Sequence, residues 1–150
     1  MIQNQNNSGF TLIEMMIVVV IIGFLVMLGI PIFNTMRNKT LEKMIVNDAR
    51  LIGAAIQQVA MESGDLICDL TFTPGTPGAA MTWQVHSVNG AVHPGRLSQG
   101  VSGINTIDLD FNDGTFILTH AQYNNANTNY TNAKSGTDSL IFTAKGVPAP

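Results

Sequence analysis

The sequence predicts an α+β fold in which one long N-terminal helix packs on a four- or five-stranded antiparallel sheet. Two observations predict it. An uncharged run followed by apolar residues at helical spacing fills the chain as far as Glu62, whereas β-branched residues alternating with polar ones dominate from Asp65 onward. Because a helix and a sheet that each have one apolar face bury those faces by packing together, we expect the two patterns to share one core.

Charge is sparse and unevenly distributed. Only 11% of the 150 residues are charged, well below the usual quarter, and the net charge is −3. The whole excess of negative charge lies after Glu62, where three basic residues face six aspartates. No Lys/Arg cluster occurs there, so nucleic acid is not expected as a partner.

The first nine residues, 1–9, are polar and rich in Asn and Gln, and no core is expected there. The uncharged stretch that follows, Met15 to Phe33, is 19 residues long. Membrane helices need about 17 to 25 such residues. A secretory signal would have a basic start and a small-residue cleavage site after its apolar run, and neither is present. Residues 10–36 are therefore expected to form a membrane helix.

The helix is expected to continue beyond the apolar run. Residues 37–64 alternate apolar and charged positions at three- to four-residue spacing, which predicts an amphipathic helix that packs on the sheet. The apolar positions are Leu41, Ile45, Ile52, Ile56 and Val59. Lys39, Glu42, Lys43, Asp48 and Arg50 are expected on the solvent side, and Gly64 is the expected stop.

Three residues predict a weak point in the apolar half of this helix. Pro31 removes one backbone hydrogen bond, and Gly23 and Gly29 are poor helix formers. We therefore expect a bend or a flexible segment between Gly23 and Pro31.

The C-terminal region, 65–150, is expected to form the β domain. "NDG" between Phe111 and Thr115 predicts a tight hairpin turn, and residues 121–138, rich in Asn, predict a long exposed loop. Cys68 and Trp83 lie on predicted strands and are expected in the core. The predicted strands are 66–72, 81–88, 106–111, 115–120 and 139–144, and the predicted loops are "PGTPG" (74–78) and "HPGR" (93–96).

The β domain has no strong sequence signal for a metal site or a catalytic site. His86, His93 and His120 are too scattered to predict a metal site from their spacing. "DLDFNDG" places oxygen side chains at Asp108, Asp110 and Asn112, which resembles part of a calcium loop, but Thr119 stands where a bidentate Glu is needed. No nucleophile is marked by its local context, so neither an enzyme activity nor a cofactor is expected.

Glu14 is the feature that the membrane prediction leaves unexplained. A carboxylate inside a membrane helix is costly and is usually paired, yet no basic residue occurs from Met1 to Met36. A cut between Gly9 and Phe10 would create a positive α-amino group four residues away. The amine of a neighbouring copy could then pair with Glu14, and only one stagger between copies would satisfy it.

At this point the sequence resembles a known family. "GFTLIE" from Gly9 to Glu14, followed by the uncharged stretch, resembles the class III signal of type IV pilins and of type II secretion pseudopilins. Phe10, Gly23 and Pro31 also fall where the family pattern has them. The resemblance covers Ser8 to about Glu62 and implies the pilin-like version of the α+β fold.

The resemblance implies a processing and assembly route. Residues 1–9 would be a leader removed after Gly9 by a prepilin peptidase, and Phe10 would be N-methylated. Glu14 would pair with the Phe10 amine of a neighbouring subunit, and the stretch from Gly23 to Pro31 would be able to unwind. An inner-membrane platform and an ATPase would assemble the subunits into a helical homo-oligomeric filament.

Three functions follow as alternatives. The first is a structural pilin, held by a single span in the inner membrane before assembly and extracellular after it. The second is a pseudopilin of type II secretion in a periplasmic filament, which calcium binding near Asp108 would support. The third is a membrane-tethered exported binding domain or enzyme, which would leave Gly9 and Phe10 joined and Glu14 unpaired.

Overall fold

The fold is known from a computed structural model that describes residues 10–75 and 79–150. The expected leader, 1–9, and Thr76–Gly78 of the "PGTPG" loop lie outside the described residues. The chain divides into two compact units, one ending at Arg37 and the other running from Asn38 to Pro150.

One helix, α1, begins at Leu12 and ends at Ser63. Its residues from Asn38 onward belong to the second unit, and there the expected apolar face is buried. Gly64 follows with a φ of +74°, the left-handed conformation that glycine adopts readily after a helix end. The five apolar positions named above, Leu41, Ile45, Ile52, Ile56 and Val59, are at most 8% exposed.

Two of the charged residues expected on the solvent side are buried instead. Glu42 is 7% exposed and Asp48 is 2% exposed. Ser98 donates to both oxygens of Asp48, from its N–H at 2.8 Å and from its hydroxyl at 2.9 Å. Their burial follows from uncharged donors that the rest of the fold brings to the helix, which helical spacing does not reveal.

Eight strands follow α1 in the part of the chain that the structure describes. They form two four-stranded sheets, with strand orders β3-β2-β1-β5 and β4-β6-β8-β7, and all pairs are antiparallel. The bounds are β1 Ile67–Thr73, β2 Thr82–Ser87, β3 Val92–Arg96, β4 Val101–Gly103, β5 Thr106–Asp110, β6 Thr115–His120, β7 Lys134–Ser135 and β8 Ser139–Thr143.

The α+β class is confirmed, with a helix packed on antiparallel sheets, but the sheet is divided in two. All five predicted strands are present, and β3, β4 and β7 are additional strands among the described residues. The expected loop at 93–96 is wrong, because these residues lie in β3, paired with β2. β3 is an edge strand, and Pro94 is tolerated at an edge because its missing N–H can face away from the ladder.

The "NDG" turn forms, but it is not a hairpin turn. Gly114 N–H donates to the Asp110 carbonyl at 2.9 Å, which closes the tight turn. However, β5 pairs with β1 in one sheet and β6 pairs with β8 in the other. The turn therefore carries the chain from one sheet to the other, so that Leu109 and Phe116 reach the same core.

One hydrophobic core joins α1 to both sheets. Cys68 and Trp83 lie in it, as predicted, at 5% and 6% exposure. The segment 121–138 differs from a fully exposed loop, since it contains a 3-10 turn at Asn125–Asn127 and strand β7. Tyr123, Asn125, Thr128 and Ala133 of this segment are buried.

Candidate functional site

The N-terminal unit presents an unbroken apolar surface. Every large apolar side chain from Phe10 to Met36 is exposed, by between 44% and 80%. Exposed apolar surface of this extent needs a lipid or protein partner. By length and composition, α1 is the one helix among the described residues that could cross a membrane.

The helix begins with a reciprocal cap between Thr11 and Glu14. The Thr11 N–H and the Thr11 hydroxyl each donate to Oε2 of Glu14 at 3.0 Å. In return the Glu14 N–H donates to the Thr11 hydroxyl oxygen at 3.3 Å. This is a capping box, in which a Thr at the N-cap and a Glu three residues later satisfy two backbone donors that a helix start otherwise leaves free.

Thr11 is the functional residue that the sequence analysis missed. The signal was present, because "TLIE" from Thr11 to Glu14 matches the capping-box pattern of Ser or Thr followed three residues later by Glu. A charged partner was expected for Glu14, whereas the group that it contacts within the chain is the uncharged hydroxyl of Thr11.

The cap leaves part of the Glu14 carboxylate open. Both Thr11 bonds go to Oε2, and no donor of the described chain contacts Oε1. From Phe10 to Met36 Glu14 is the sole charged side chain. A carboxylate has about four acceptor positions, so Oε1 can still accept hydrogen bonds from a positively charged group outside the chain.

The candidate flexible segment is helical throughout. Gly23, Gly29 and Pro31 all lie within α1, and the Thr35 hydroxyl donates to the Pro31 carbonyl at 3.0 Å. Pro31 has no N–H for the Met27 carbonyl four residues earlier. A bend or an unwinding between Gly23 and Pro31 stays a prediction.

The three candidate calcium ligands do not converge. Asp108 adopts a φ of 54° and is exposed, and its N–H donates to Oδ1 of Asp69 at 2.9 Å. Oδ1 of Asp110 accepts the N–H of Asn112 at 2.7 Å. Among the residues that the structure describes, no group of three or more His, Cys, Asp or Glu side chains could hold a metal ion.

The histidines occupy separate places in the second unit. His93 Nε2 lies 2.9 Å from Glu62 Oε2, and His86 Nε2 lies 3.1 Å from Gln84 Oε1. His120 accepts the Gln122 N–H at Nδ1, beside a cleft of about 450 Å³. The His93 contact lowers the pKa of Glu62, together with a hydrogen bond from Gln58.

A second cleft, of about 490 Å³, lies between α1 and the segment around Tyr130. Asp48 does not line this cleft; burial raises its pKa, against the two hydrogen bonds from Ser98, which lower it. The cleft is lined by Glu42, Lys43, Val46, Asn47, Arg50 and Tyr130.

Comparison with known protein families gives a match, and it lies in the N-terminal segment. Residues 4–30 match the family model described as the prokaryotic N-terminal methylation motif. No curated protein and no solved structure matches the chain. The motif implies processing by a prepilin peptidase and assembly into a filament, and the apolar helix fits a precursor anchored in the inner membrane. The chain thus carries the class III signal of type IV pilins and pseudopilins, on a helix that begins with the Thr11–Glu14 cap.

Proposed function

We propose that this protein is the structural subunit of a type IV pilus. It is made as a single-pass inner-membrane precursor, cut between Gly9 and Phe10, N-methylated at Phe10, and polymerised through α1. The observation that carries the proposal is the methylation motif over residues 4–30, which contains Glu14, the one charged residue from Phe10 to Met36 on an otherwise apolar and exposed helix surface.

Glu14 is the assembly residue in this proposal, and Phe10 of a neighbouring subunit is its partner. After cleavage Phe10 carries an α-ammonium group at the start of the helix. Oε1 of Glu14 is open while Oε2 is held by Thr11, so a neighbour's ammonium can bind without breaking the cap. Both charges would be buried among apolar helices. Any axial offset between neighbouring subunits that leaves one charge unpaired is therefore unfavourable, and this fixes the offset.

The apolar helix surface supplies the attraction between subunits. In lipid, this surface gains little from association through the hydrophobic effect, so close packing and paired polar groups decide whether helices associate. Gly23 and Gly29 are suited to close packing between helices. A Cβ at either position would meet nothing within 4 Å in the subunit, and the missing side chain lets a neighbouring helix approach. They would also let the helix unwind around Pro31 while the subunit leaves the membrane.

The other partners follow from the same route. A prepilin peptidase cuts and methylates the chain, and an inner-membrane platform with an ATPase moves the subunit into the filament. The role is structural, without catalysis or cofactor, and nucleic acid is not a partner of the acidic C-terminal region.

The test is N-terminal sequencing and intact mass of the protein recovered from sheared cell-surface material. We expect a chain that begins at N-methylated Phe10 in a sedimenting filament. A Glu14→Gln variant should be cut normally but be absent from the sheared fraction, whereas Gln58→Glu, a charge change outside the N-terminal unit, should assemble.

The alternatives predict different results. A pseudopilin of a type II secretion system would be cut and methylated, remain with the periplasm, and be required for protein secretion. A membrane-tethered exported domain would keep Met1, or remain joined across Gly9 and Phe10, and would overturn the filament proposal.

A further inference from the structure

The solvent side of α1 in the second unit carries three unneutralised positive charges. Lys39, Lys43 and Arg50 are exposed, and at about 100° per residue they fall within about 40° of one another around the helix. No carboxylate of the described residues lies within ion-pair distance of any of them. We call these three residues the cationic face.

The acidic residues nearest in sequence do not neutralise this face. Glu42 is turned into the fold, where it accepts hydrogen bonds from Tyr123, Thr128 and Asn129. Asp48 is likewise held by Ser98. Between Lys39 and Arg50 the helix therefore exposes its basic side chains and buries its acidic ones.

The opposite charge is concentrated at the β5 edge of the first sheet. Four aspartates lie on β1, β5 and the turn after β5, and the Asp108 N–H donates to Asp69. The nearby cation Lys145 lies over the Phe111 ring, 5.5 Å from its centre, rather than in an ion pair with an aspartate. We call these aspartates the acidic edge: Asp69, Asp108, Asp110 and Asp113.

Each surface also has exposed apolar neighbours. Ile104 and Ile107 are 58% and 74% exposed beside the acidic edge. On the helix side, Leu51 follows Arg50, and Val147 follows Gly146, whose backbone packs on Ala49 and Arg50. Opposite charge together with apolar area on both sides is the usual composition of a protein–protein contact.

The acidic edge cannot easily be extended by another strand. The positive φ of Asp108 and the break in register opposite Cys68 and Leu70 interrupt the regular row of backbone donors and acceptors. Such irregularities and exposed charges protect an edge against strand addition. A partner would therefore be held by side chains.

We propose that the cationic face of one copy of this protein binds the acidic edge of the next copy. The two surfaces differ, so the contact is heterologous, and its repetition without closure produces a linear assembly. This inference rests on the proposed function and names the surfaces that the C-terminal units would use within the filament.

The direct test is zero-length carbodiimide cross-linking, which joins a lysine amine to a carboxylate in contact with it. We expect peptides joining Lys39 or Lys43 to Asp108, Asp110 or Asp113 in sheared filaments, and none in detergent-dispersed subunits. Absence of these peptides from filaments, or their equal presence in dispersed subunits, would overturn the inference.

Charge reversal gives a second test. Lys43→Glu should lower filament yield at least fivefold, as should Asp113→Lys, and the double variant should recover to within about twofold of the wild type. Arg96→Glu makes the same charge change on exposed β3 and should leave the yield unchanged. Equal losses in Lys43→Glu and Arg96→Glu, or no recovery in the double variant, would contradict the contact.

The two proposals fail differently. If the wild-type chain forms no filament, the proposed function itself is wrong. If it forms filaments that lack the cross-link, and if the charge reversals do not change the filament yield, the proposed function stands and this inference alone is wrong.

Discussion

The backbone N–H and the hydroxyl of Thr11 donate to the same carboxylate oxygen of Glu14, each at 3.0 Å. The carboxylate that assembly is proposed to use thus already has a role in the isolated chain, which is to close the first turn of α1. A single side chain can serve both purposes because its two oxygens are used separately. The cap fixes the carboxylate in the first turn of α1 and leaves Oε1 without a donor from the described chain.

Thr11→Val keeps the side-chain shape and removes the hydroxyl, so two of the three cap bonds are lost. Loss of an N-cap costs about 1 kcal/mol, which corresponds to roughly fivefold faster amide exchange in the first turn. The measurement is hydrogen exchange at Glu14 and Met15, whose N–H groups donate to the Thr11 hydroxyl and carbonyl, in detergent-solubilised protein. Thr11→Ser retains the hydroxyl and should behave as the wild type, and equal exchange in all three proteins would show that the cap is not formed.

Pro31→Ala should stiffen the apolar half of α1. An alanine at this position supplies the N–H that the Met27 carbonyl lacks, and a proline inside a helix costs about 3 kcal/mol. We expect amide exchange between Gly23 and Ile32 to slow at least tenfold in detergent. If unwinding of this segment accompanies assembly, the same variant should also yield fewer filaments, whereas faster or unchanged exchange would contradict the predicted weak point.

The helix and its buried face could be predicted from sequence because they depend on spacing within a short stretch. The division into two sheets could not, because the turn at 111–114 looks the same whether its strands pair with each other or with β1 and β8. Glu42 and Asp48 were misplaced for a related reason. Their burial depends on Thr128 and Ser98, which lie 86 and 50 residues away in sequence.

The candidate sites likewise include residues that local sequence predicts and surfaces that only the fold reveals. Gly9, Phe10 and Glu14 are marked by a local motif, so sequence alone is enough to propose them. The Thr11 cap is equally local and could have been predicted. The charged surfaces are different, because Lys43 appears unneutralised only once Glu42 is known to face inward.

Gly53→Ala should destabilise the second unit. A Cβ at Gly53 would lie 2.5 Å from the backbone N of Gly146 and from the backbone C of Lys145, so the backbone at 145–146 would have to move. Overpacking costs about 1 to 3 kcal/mol, and the better helix propensity of alanine returns about 1 kcal/mol, so we expect a net decrease in the free energy of unfolding. Urea denaturation followed by the fluorescence of Trp83, the one tryptophan, measures it.

Gly29→Ala is the matched control for this prediction. It is the same substitution in the same helix, but a Cβ there meets nothing within 4 Å. The unfolding midpoint reported by Trp83 should therefore be unchanged. A Gly53→Ala variant as stable as Gly29→Ala would mean that the helix and the 145–146 segment are not in close contact.

Glu42 should hold the segment 121–138 on the helix. Its carboxylate accepts from the Tyr123 hydroxyl at 3.1 Å and from the Thr128 hydroxyl at 2.6 Å. Glu42→Ala leaves these buried donors unsatisfied, so we expect a loss of about 2 to 4 kcal/mol in the free energy of unfolding. Glu42→Gln keeps one acceptor oxygen and should lose less. Equal stability of Glu42→Ala and the wild type in urea would exclude this role.

The fold should become less stable as the pH rises above about 9. Burial raises the pKa of the Cys68 thiol from 9.0 to about 11, and burial raises the pKa of Tyr123 from 10.0 to about 12. A folded-state pKa above the unfolded value means that the unfolded chain loses its protons first, so alkali favours unfolding. At about 1.4 kcal/mol per pKa unit, Cys68 alone would cost up to about 2 to 3 kcal/mol between pH 9 and 11. Urea denaturation at pH 8, 9, 10 and 11 measures the slope, which should flatten in Cys68→Ala between pH 9 and 11. The same slope in Cys68→Ala and the wild type would show that the thiol ionises equally easily in both states.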